Sequence, residues 1–136
     1  MYKIKVFTIG KCKEAWLHVA LQEYEKRLSH QMEIEWRLAK SEKELEEWLV
    51  KESYIALDPK GMNMNSNEWA LKMESFGLRQ QFVIGGATGL SESIFKGAQF
   101  IWSLSPLTFT HQITRLILIE QLYRALEIQK GTNYHK

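Results

Sequence analysis

Hydrophobic and polar positions along this chain predict strands and helices in strict succession. From Tyr2 to Ile9 the side chains alternate between two faces with a period of two, which is typical of a β-strand. Leu17, Leu21 and Leu28 then recur at helical spacing with charged residues between them, which predicts an amphipathic helix. The stretch 32–38 alternates again and predicts a half-exposed strand near the edge of a sheet.

The second half of the chain continues this succession with clear start and stop signals. Ser41 followed by Glu44 is a capping-box pattern and predicts a short helix. A brief apolar strand over 54–57 should end at the turn sequence Asp58-Pro59-Lys60-Gly61. The remaining predicted elements are a helix capped by Asn65 or Ser66 and ended by Gly77, a strand at 82–84, a short helix at 91–98, a strand at 100–104, and a helix from Thr110 to about Lys130.

This order predicts one α/β domain that covers residues 1–136, with a parallel sheet of about five strands and helices on both faces. The connections are too long for hairpins, which is why the strands are expected to run parallel. In such sheets, ligands bind beyond the carboxyl ends of the strands. The loops expected at that edge are 10–13, 57–61, 85–89 and 104–109.

Composition narrows the class of protein. The chain has 136 residues, of which 45% are hydrophobic and 25% charged, an ordinary globular balance. The net charge is only +2, so an RNA substrate would require locally concentrated positive charge or a dimer. The single cysteine, Cys12, excludes an intrachain disulfide and favours a reducing compartment. No apolar run is long enough for a membrane helix, and we therefore predict a cytoplasmic protein.

Two of the edge loops are suited to contact a ligand with their backbone. Gly85-Gly86-x-x-Gly89 lets the chain approach a ligand closely, although a tight strand-to-helix turn would explain it equally well. It matches neither the dinucleotide fingerprint nor a P-loop. Loop 104–109 combines amides, hydroxyl groups and apolar side chains around Pro106, which suits a flat neutral ring such as adenine better than a phosphate. The alternative is a half-buried loop that leads into a helix.

The last helix and the tail carry the remaining candidates. The helix is apolar almost all round, which predicts a subunit interface. Glu120, Arg124 and Glu127 share one face, either as functional groups or as a simple ion pair. Tyr134 and His135 lie in the tail 131–136, and histidine can exchange protons near neutrality; a frayed end is the alternative. His18, His30 and His111 lack metal-ligand spacing, so we predict no metal site and only solvated or supporting roles for them.

These motifs together resemble the RlmH family. The resemblance is carried by Phe-Val-Ile-Gly-Gly-x-x-Gly-Leu, Trp-Ser-Leu-Ser-x-Leu-Thr, His111 with Arg115, Glu120-x-Leu-Tyr-Arg-Ala, and the terminal Tyr-His. It spans the chain, and it is weakest over 40–53, where many relatives have a longer, Lys-rich connection. The family comprises small SPOUT-class methyltransferases that modify N3 of a pseudouridine in large-subunit ribosomal RNA.

The resemblance implies further properties of this chain. It implies a C-terminal trefoil knot over about residues 82–136, a homodimer, and a substrate presented by the assembled ribosome. The implied cofactor is S-adenosylmethionine, and the positions carried over by motif for its contacts are Leu57, Gly85, Leu104, Ser105, Pro106, Leu107, Thr108 and Phe109.

For catalysis we predict three residues. His135 would accept the N3 proton, Arg124 would stabilise the charge that develops on the ring oxygens, and Tyr134 would position the base. Lys11, Lys13 and Lys136 are predicted phosphate contacts. The alternatives are a different nucleotide-dependent enzyme and a non-catalytic module that binds ribosomes.

Overall fold

The computed structural model describes residues 1–136 as five strands that alternate with five helices. All four strand pairings are parallel, in the order β2-β1-β4-β3-β5, which confirms the predicted sheet. The strands are β1 (Tyr2–Ile9), β2 (Met32–Ala39), β3 (Ile55–Asn63), β4 (Arg79–Val83) and β5 (Phe100–Ser103). The helices are α1 (Ala15–Leu28), α2 (Glu42–Leu49), α3 (Ser66–Ser75), α4 (Glu92–Gly97) and α5 (His111–Lys130).

The helices cover both faces of the sheet, as predicted. Because side chains alternate along a strand, Phe82 faces the larger core with α1, α3 and α5, whereas Val83 faces the smaller one with α2 and α4. In the larger core the indoles of Trp69 and Trp102 stack with ring centroids 3.8 Å apart. The half-exposed β2 forms one edge of the sheet, also as predicted.

The strand order brings together the loops that the sequence predicts to bind a ligand. β4 lies between β1 and β3, and β5 pairs with the outer side of β3. The carboxyl ends of β1, β4, β3 and β5 are therefore neighbours along one edge of the sheet. α5 then starts at this same edge and runs back across the face that also holds α1 and α3.

Local hydrogen bonds explain where three helices begin and end. Asn65 and Glu68 form a complete capping box at the start of α3, which typically stabilises a helix by about 1 kcal/mol. Thr110 accepts from the amide of Ile113 at the start of α5, and Gly131 ends that helix at φ +74°. Ser41 caps α2, but Glu44 accepts from the amide of Lys40 instead of Ser41, so the predicted box is only half formed.

The predicted end of β3 at the Asp58–Gly61 turn is wrong. The strand continues to Asn63, and both Leu57 and Met62 lie opposite Trp102, so residues 58–61 form a bulge inside the strand. At Gly61 a Cβ atom would lie 2.6 Å from the carbonyl oxygen of Ile101, so only glycine fits against the neighbouring strand. Residues that favour turns also favour bulges, which explains the error.

Both ends of β4 also differ from the predicted boundaries. β4 begins at Arg79 and ends at Val83, earlier than the predicted 82–84, because polar Gln80 and Gln81 pair with β1.

None of the five helices combines the length and apolar character needed to cross a membrane.

Candidate active site

A cleft opens at the carboxyl edge of the sheet, where the sequence predicts a ligand site. It encloses about 660 Å³, a volume that includes its open, solvent-filled mouth. Its walls come from three loops and the start of α5. The lining residues are 57–59, 84–90 without Thr88, 104–109 without Pro106, and His111 and Thr114.

The glycine loop after β4 forms one wall. Gly89 adopts φ +82°, and Gly86 pairs with Gly89 across a tight reversal. A Cβ atom on Gly85 would meet the carbonyl carbon of Gly89 at 2.7 Å, whereas one on Gly86 would meet only the side chain of Ile9 at an ordinary 3.5 Å. The close approach at Gly85 therefore requires glycine, and it brings backbone directly to the cleft.

The loop 104–109 forms the opposite wall and leaves its backbone free. None of its amides or carbonyls takes part in a backbone–backbone hydrogen bond. Its shape is held from within by Ser103, whose hydroxyl donates to the carbonyl of Ser105 at 2.9 Å, and by Ser105, whose hydroxyl accepts from the amide of Leu107 at 3.0 Å. The wall can therefore offer amide donors, carbonyl acceptors and apolar side chains to a planar ring.

His111, for which the sequence predicted a supporting or solvated role, lies in the wall of the cleft. Burial lowers the pKa of His111, and the positive charges of Arg115 and Lys13 lower it further. The imidazole is therefore neutral at physiological pH. Its position directly after the helix cap Thr110 was the signal for this placement, since the first helical residue points toward the preceding loop.

The structure brings together seven of the eight residues predicted to bind the cofactor. Pro106 is the exception and faces a neighbouring groove with Asn65 and Glu68. The cleft residues that the sequence did not assign as cofactor contacts are Asp58, Pro59, Ile84, Gly86, Ala87, Gly89, Leu90, His111 and Thr114. Most of these lie in the loops already assigned to this edge, so the loops were predictable although the individual contacts were not.

The predicted catalytic residues form a second cluster, on α5 and the tail. Arg124 donates from Nη1 to Nδ1 of His135 at 3.1 Å, and its Nε lies 3.0 and 3.1 Å from the two carboxylate oxygens of Glu120. The guanidinium also lies 4.9 Å from the ring centroid of Tyr134. The Glu120–Arg124 ion pair is thus real and partly buried, and it orients the tail.

The other members of the cluster show how the tail is held. Burial, a hydrogen bond with Tyr24 and the charge of Glu120 raise the pKa of Tyr134 to about 12, so the phenol stays protonated. Its ring packs edge-on against Tyr123 with centroids 4.8 Å apart. Glu127, grouped with Glu120 and Arg124 in the sequence, instead accepts from Thr132 and pairs with Lys130.

The two clusters are separate within one chain. Thr114 in the cleft and Arg124 lie on the same helix, roughly 15 Å apart along its axis at the usual rise per residue. A side chain cannot span that distance. The cleft and the tail cluster of a single chain therefore do not form one site by themselves.

No group of three or more His, Cys, Asp and Glu side chains is arranged to hold a metal ion. Cys12 is a free thiol, partly buried at the end of β1.

These features agree with comparisons to known proteins. The structure is that of an α/β protein with a parallel sheet and a backbone-lined cleft over its carboxyl edge. Residues 2–135 match the family model described as "Predicted SPOUT methyltransferase". The chain belongs to this family of methyltransferases, whose fold implies a trefoil knot in the C-terminal part.

Similar sequences place it more narrowly and confirm the resemblance to the RlmH family. The chain is 49% identical to "Ribosomal RNA large subunit methyltransferase H" of Protochlamydia amoebophila (strain UWE25) over 141 residues, which cover the whole of both chains. It is 40% identical to the protein of that name from Thermodesulfovibrio yellowstonii, covering 99% of each chain.

A solved structure supports the fold alone. A probable methylase family protein from Haemophilus influenzae Rd KW20 superposes with a TM-score of 0.62 at 12% identity, covering 98% of this chain and 70% of that one.

Proposed function

We propose that this chain uses S-adenosylmethionine to methylate N3 of a pseudouridine in large-subunit ribosomal RNA, acting on the assembled ribosome in the cytoplasm. The observation that carries the proposal is the cleft lined by the Gly85 loop and by loop 104–109, in which no backbone group makes a backbone–backbone hydrogen bond and only the Ser105 carbonyl and the Leu107 amide bind side chains. The name shared by its relatives supplies the substrate class. We take about residues 82–136 to be the knotted part.

The residues of the cleft fit this cofactor. An adenine ring presents donors and acceptors on its edge and apolar faces, which match the free amides and carbonyls of 104–109 beside Leu104 and Leu107. Leu57, Gly85 and the loop 104–109 would hold it, with Pro106 contributing to the shape of the loop. When bound, S-adenosylmethionine supplies an electrophilic methyl group on its sulfonium.

The chain's own residues would prepare the nucleophile. The N3 imide of pseudouridine is protonated at neutral pH, so its proton must leave before or during attack. His135 would accept that proton, and Arg124 would stabilise the negative charge on the adjacent carbonyl oxygens. Tyr134, kept protonated, would stack on the base or donate a hydrogen bond to it.

The tail as it stands is a resting arrangement for this chemistry. A guanidinium has only donors, so Nδ1 of His135 must be the acceptor of its hydrogen bond with Arg124. The remaining ring nitrogen lies 3.5 Å from Nδ2 of Asn67. With Nδ1 accepting from Arg124, a neutral imidazole carries its proton on Nε2, so neither nitrogen of His135 can accept a proton from RNA until the tail reorders on substrate binding.

A homodimer would bring the two clusters into one site. Several apolar side chains of α5, among them Ile113, Leu116 and Ile117, are only half-buried, and α1 adds Trp16 and Val19, which are 53% and 65% exposed. Patches of this kind mark subunit interfaces. Because the cleft and Arg124 are too far apart within a chain, the tail cluster of one subunit would act over the cleft of the other.

The test is transfer of a labelled methyl group. Purified protein is incubated with labelled S-adenosylmethionine and bacterial ribosomes that lack the modification, and the label is mapped by nuclease digestion and mass spectrometry. We expect label at N3 of one pseudouridine in the large-subunit RNA. Cofactor binding without labelled ribosomes would contradict the proposed substrate, and absence of cofactor binding would contradict the proposed cofactor.

A further inference from the structure

The loop between β1 and α1 is held in place by a buried arginine that has no acidic partner. Arg115 is 1% exposed and takes part in none of the ion pairs of the chain. Its Nη2 donates to the carbonyls of Ile9 at 3.1 Å and Gly10 at 2.8 Å. Burying a cation costs free energy. The structural effect of Arg115 that can offset this cost is the fixed backbone path of the loop.

A second residue of α5 holds the next part of the loop. Nε2 of Gln112 donates to the carbonyl of Lys11 at 3.0 Å, and its Oε1 accepts from the amide of Lys13 at 3.4 Å. Together, the first two turns of α5 hold the loop backbone at four of the five positions from Ile9 to Lys13. Such a rigid backbone loses little conformational freedom when its side chains bind a partner.

The side chains on this fixed backbone are two lysines without partners. Lys11 and Lys13 are exposed and form no ion pair, while Cys12 between them packs toward the larger core. Arg115 adds a third positive charge beneath them. The only acidic side chain in the loop is Glu14, which is also exposed and unpaired.

The loop lies at the mouth of the cleft but outside it. Gln112 is adjacent to His111 of the cleft wall, and the positive charge of Lys13 helps to lower the pKa of that imidazole. No residue of 10–13 lines the cleft itself. The two lysines therefore lie beside the cleft on the surface, and not in the wall that would contact the cofactor.

We propose that Lys11 and Lys13 form a phosphate-binding site for the RNA backbone next to the target nucleotide, with Arg115 and Gln112 as positioning residues. The proposal rests on the proposed function and assigns part of its substrate recognition. It also accounts for RNA binding by a chain of net charge +2, because the positive charge is concentrated where the RNA passes.

The test compares two double variants that remove the same charge. K11Q/K13Q removes the proposed site, and K43Q/K51Q removes two exposed, unpaired lysines on or just after α2, on the opposite face of the sheet. Methyl transfer to unmodified ribosomes is measured against ribosome concentration at several salt concentrations. For K11Q/K13Q we expect KM to rise roughly tenfold and kcat to stay within about twofold. The slope of log(kcat/KM) against log[salt] should become less negative by roughly two.

Each other result has a defined meaning. A KM and salt dependence equal to those of K43Q/K51Q would overturn the proposal. Loss of the dimer in sedimentation would overturn it too, since the lysines would then contact a second copy of the chain. If the wild-type protein fails to methylate ribosomes, the proposed function fails, and co-sedimentation of the same variants with those ribosomes decides the phosphate site alone.

Arg115→Lys tests the positioning role. It keeps the charge but loses the second donor group that the guanidinium fork provides. We expect KM for ribosomes to rise while the affinity for S-adenosylmethionine and kcat are retained. A variant that is less stable but has an unchanged KM would show that Arg115 only supports the fold.

Discussion

Arg124 and His135 are joined directly, with Nη1 of the guanidinium 3.1 Å from Nδ1 of the imidazole. Glu120 binds the other side of the same guanidinium through both of its oxygens. The carboxylate, guanidinium and imidazole thus form one chain of contacts from the middle of α5 to the end of the protein. Orientation of the tail therefore depends on Arg124.

Arg124→Ala should abolish methyl transfer while the cofactor still binds. Loss of a group that stabilises developing charge typically lowers kcat by about a hundredfold or more. The cleft lies roughly 15 Å away along α5, so the affinity for S-adenosylmethionine should change less than about twofold. Isothermal titration and single-turnover methylation measure the two effects.

Arg37→Ala is the matched control, because Arg37 is an exposed arginine paired with Glu35 on the edge strand β2. It should leave both quantities unchanged. Loss of cofactor binding in Arg124→Ala would show that Arg124 belongs to the cleft and that its proposed role is wrong.

Mixing two inactive variants should restore activity if the site combines two subunits. Gly85→Ala weakens cofactor binding in the cleft and Arg124→Ala damages the tail cluster, so at a concentration of S-adenosylmethionine well below the weakened Kd each homodimer should be nearly inactive. In a mixed dimer, the intact cleft of one subunit meets the intact tail of the other. After unfolding and refolding together, the mixture should regain up to about a quarter of wild-type activity by random pairing. A mixture that stays inactive, with mixed dimers demonstrated by mass spectrometry, would rule out sharing between subunits.

Gly85→Ala and Gly86→Ala should differ sharply although they are neighbours. The new methyl group on residue 85 would lie 2.7 Å from the carbonyl carbon of Gly89, so the loop must shift. Overpacking of this kind typically costs about 1–3 kcal/mol, and we expect binding of S-adenosylmethionine to weaken by about tenfold or more. On residue 86 the methyl group makes an ordinary 3.5 Å contact with Ile9, and binding should be retained. Equal affinities in the two variants, measured by calorimetry, would contradict this account of the cleft.

The free energy of unfolding should depend on the protonation of His111. Its pKa is lowered in the folded state by burial and by the charges of Arg115 and Lys13. As the pH falls below about 6.5, the unfolded chain takes up the proton first, so folded-state stability decreases toward the lowered pKa. His111→Gln removes this contribution and should lose less stability than the wild type between about pH 7 and pH 5.

Urea unfolding at several pH values measures this difference. His30→Gln, a change in the exposed turn before β2, provides the control and should keep the wild-type dependence on pH. Parallel curves for His111→Gln and the wild type would show that this histidine is not held neutral by the fold.

Local patterns predicted most of the elements because their causes are local. The caps at Asn65 and Thr110, the end at Gly131 and the alternation of β1 depend on residues close in sequence, and the structure confirms them. The continuation of β3 past Asp58 was missed because the bulge is stabilised by β5, some 40 residues later. The order of the strands could not be predicted from periodicity, since it depends on which distant strands pair.

The candidate site divides in the same way. The four edge loops followed from the general rule for parallel sheets, and the glycine loop and loop 104–109 indeed face each other across the cleft. The position of His111 in the wall and of Pro106 outside it depend on how α5 and loop 104–109 are oriented by tertiary contacts. The separation of Arg124 from the cleft likewise required the helix to be placed in space.

The left-handed turn at Gly131 sets a limit on the geometry of any dimer. Only the residues after this glycine lie beyond α5, and the four residues from Thr132 to His135, fully extended, reach roughly 14 Å. For His135 to act on RNA held at another subunit, the cleft of that subunit must open within this radius of the end of α5. The length of the tail therefore limits how far His135 can lie from the end of α5. A dimer that places the cleft of the other subunit farther away than this could not be the catalytic assembly.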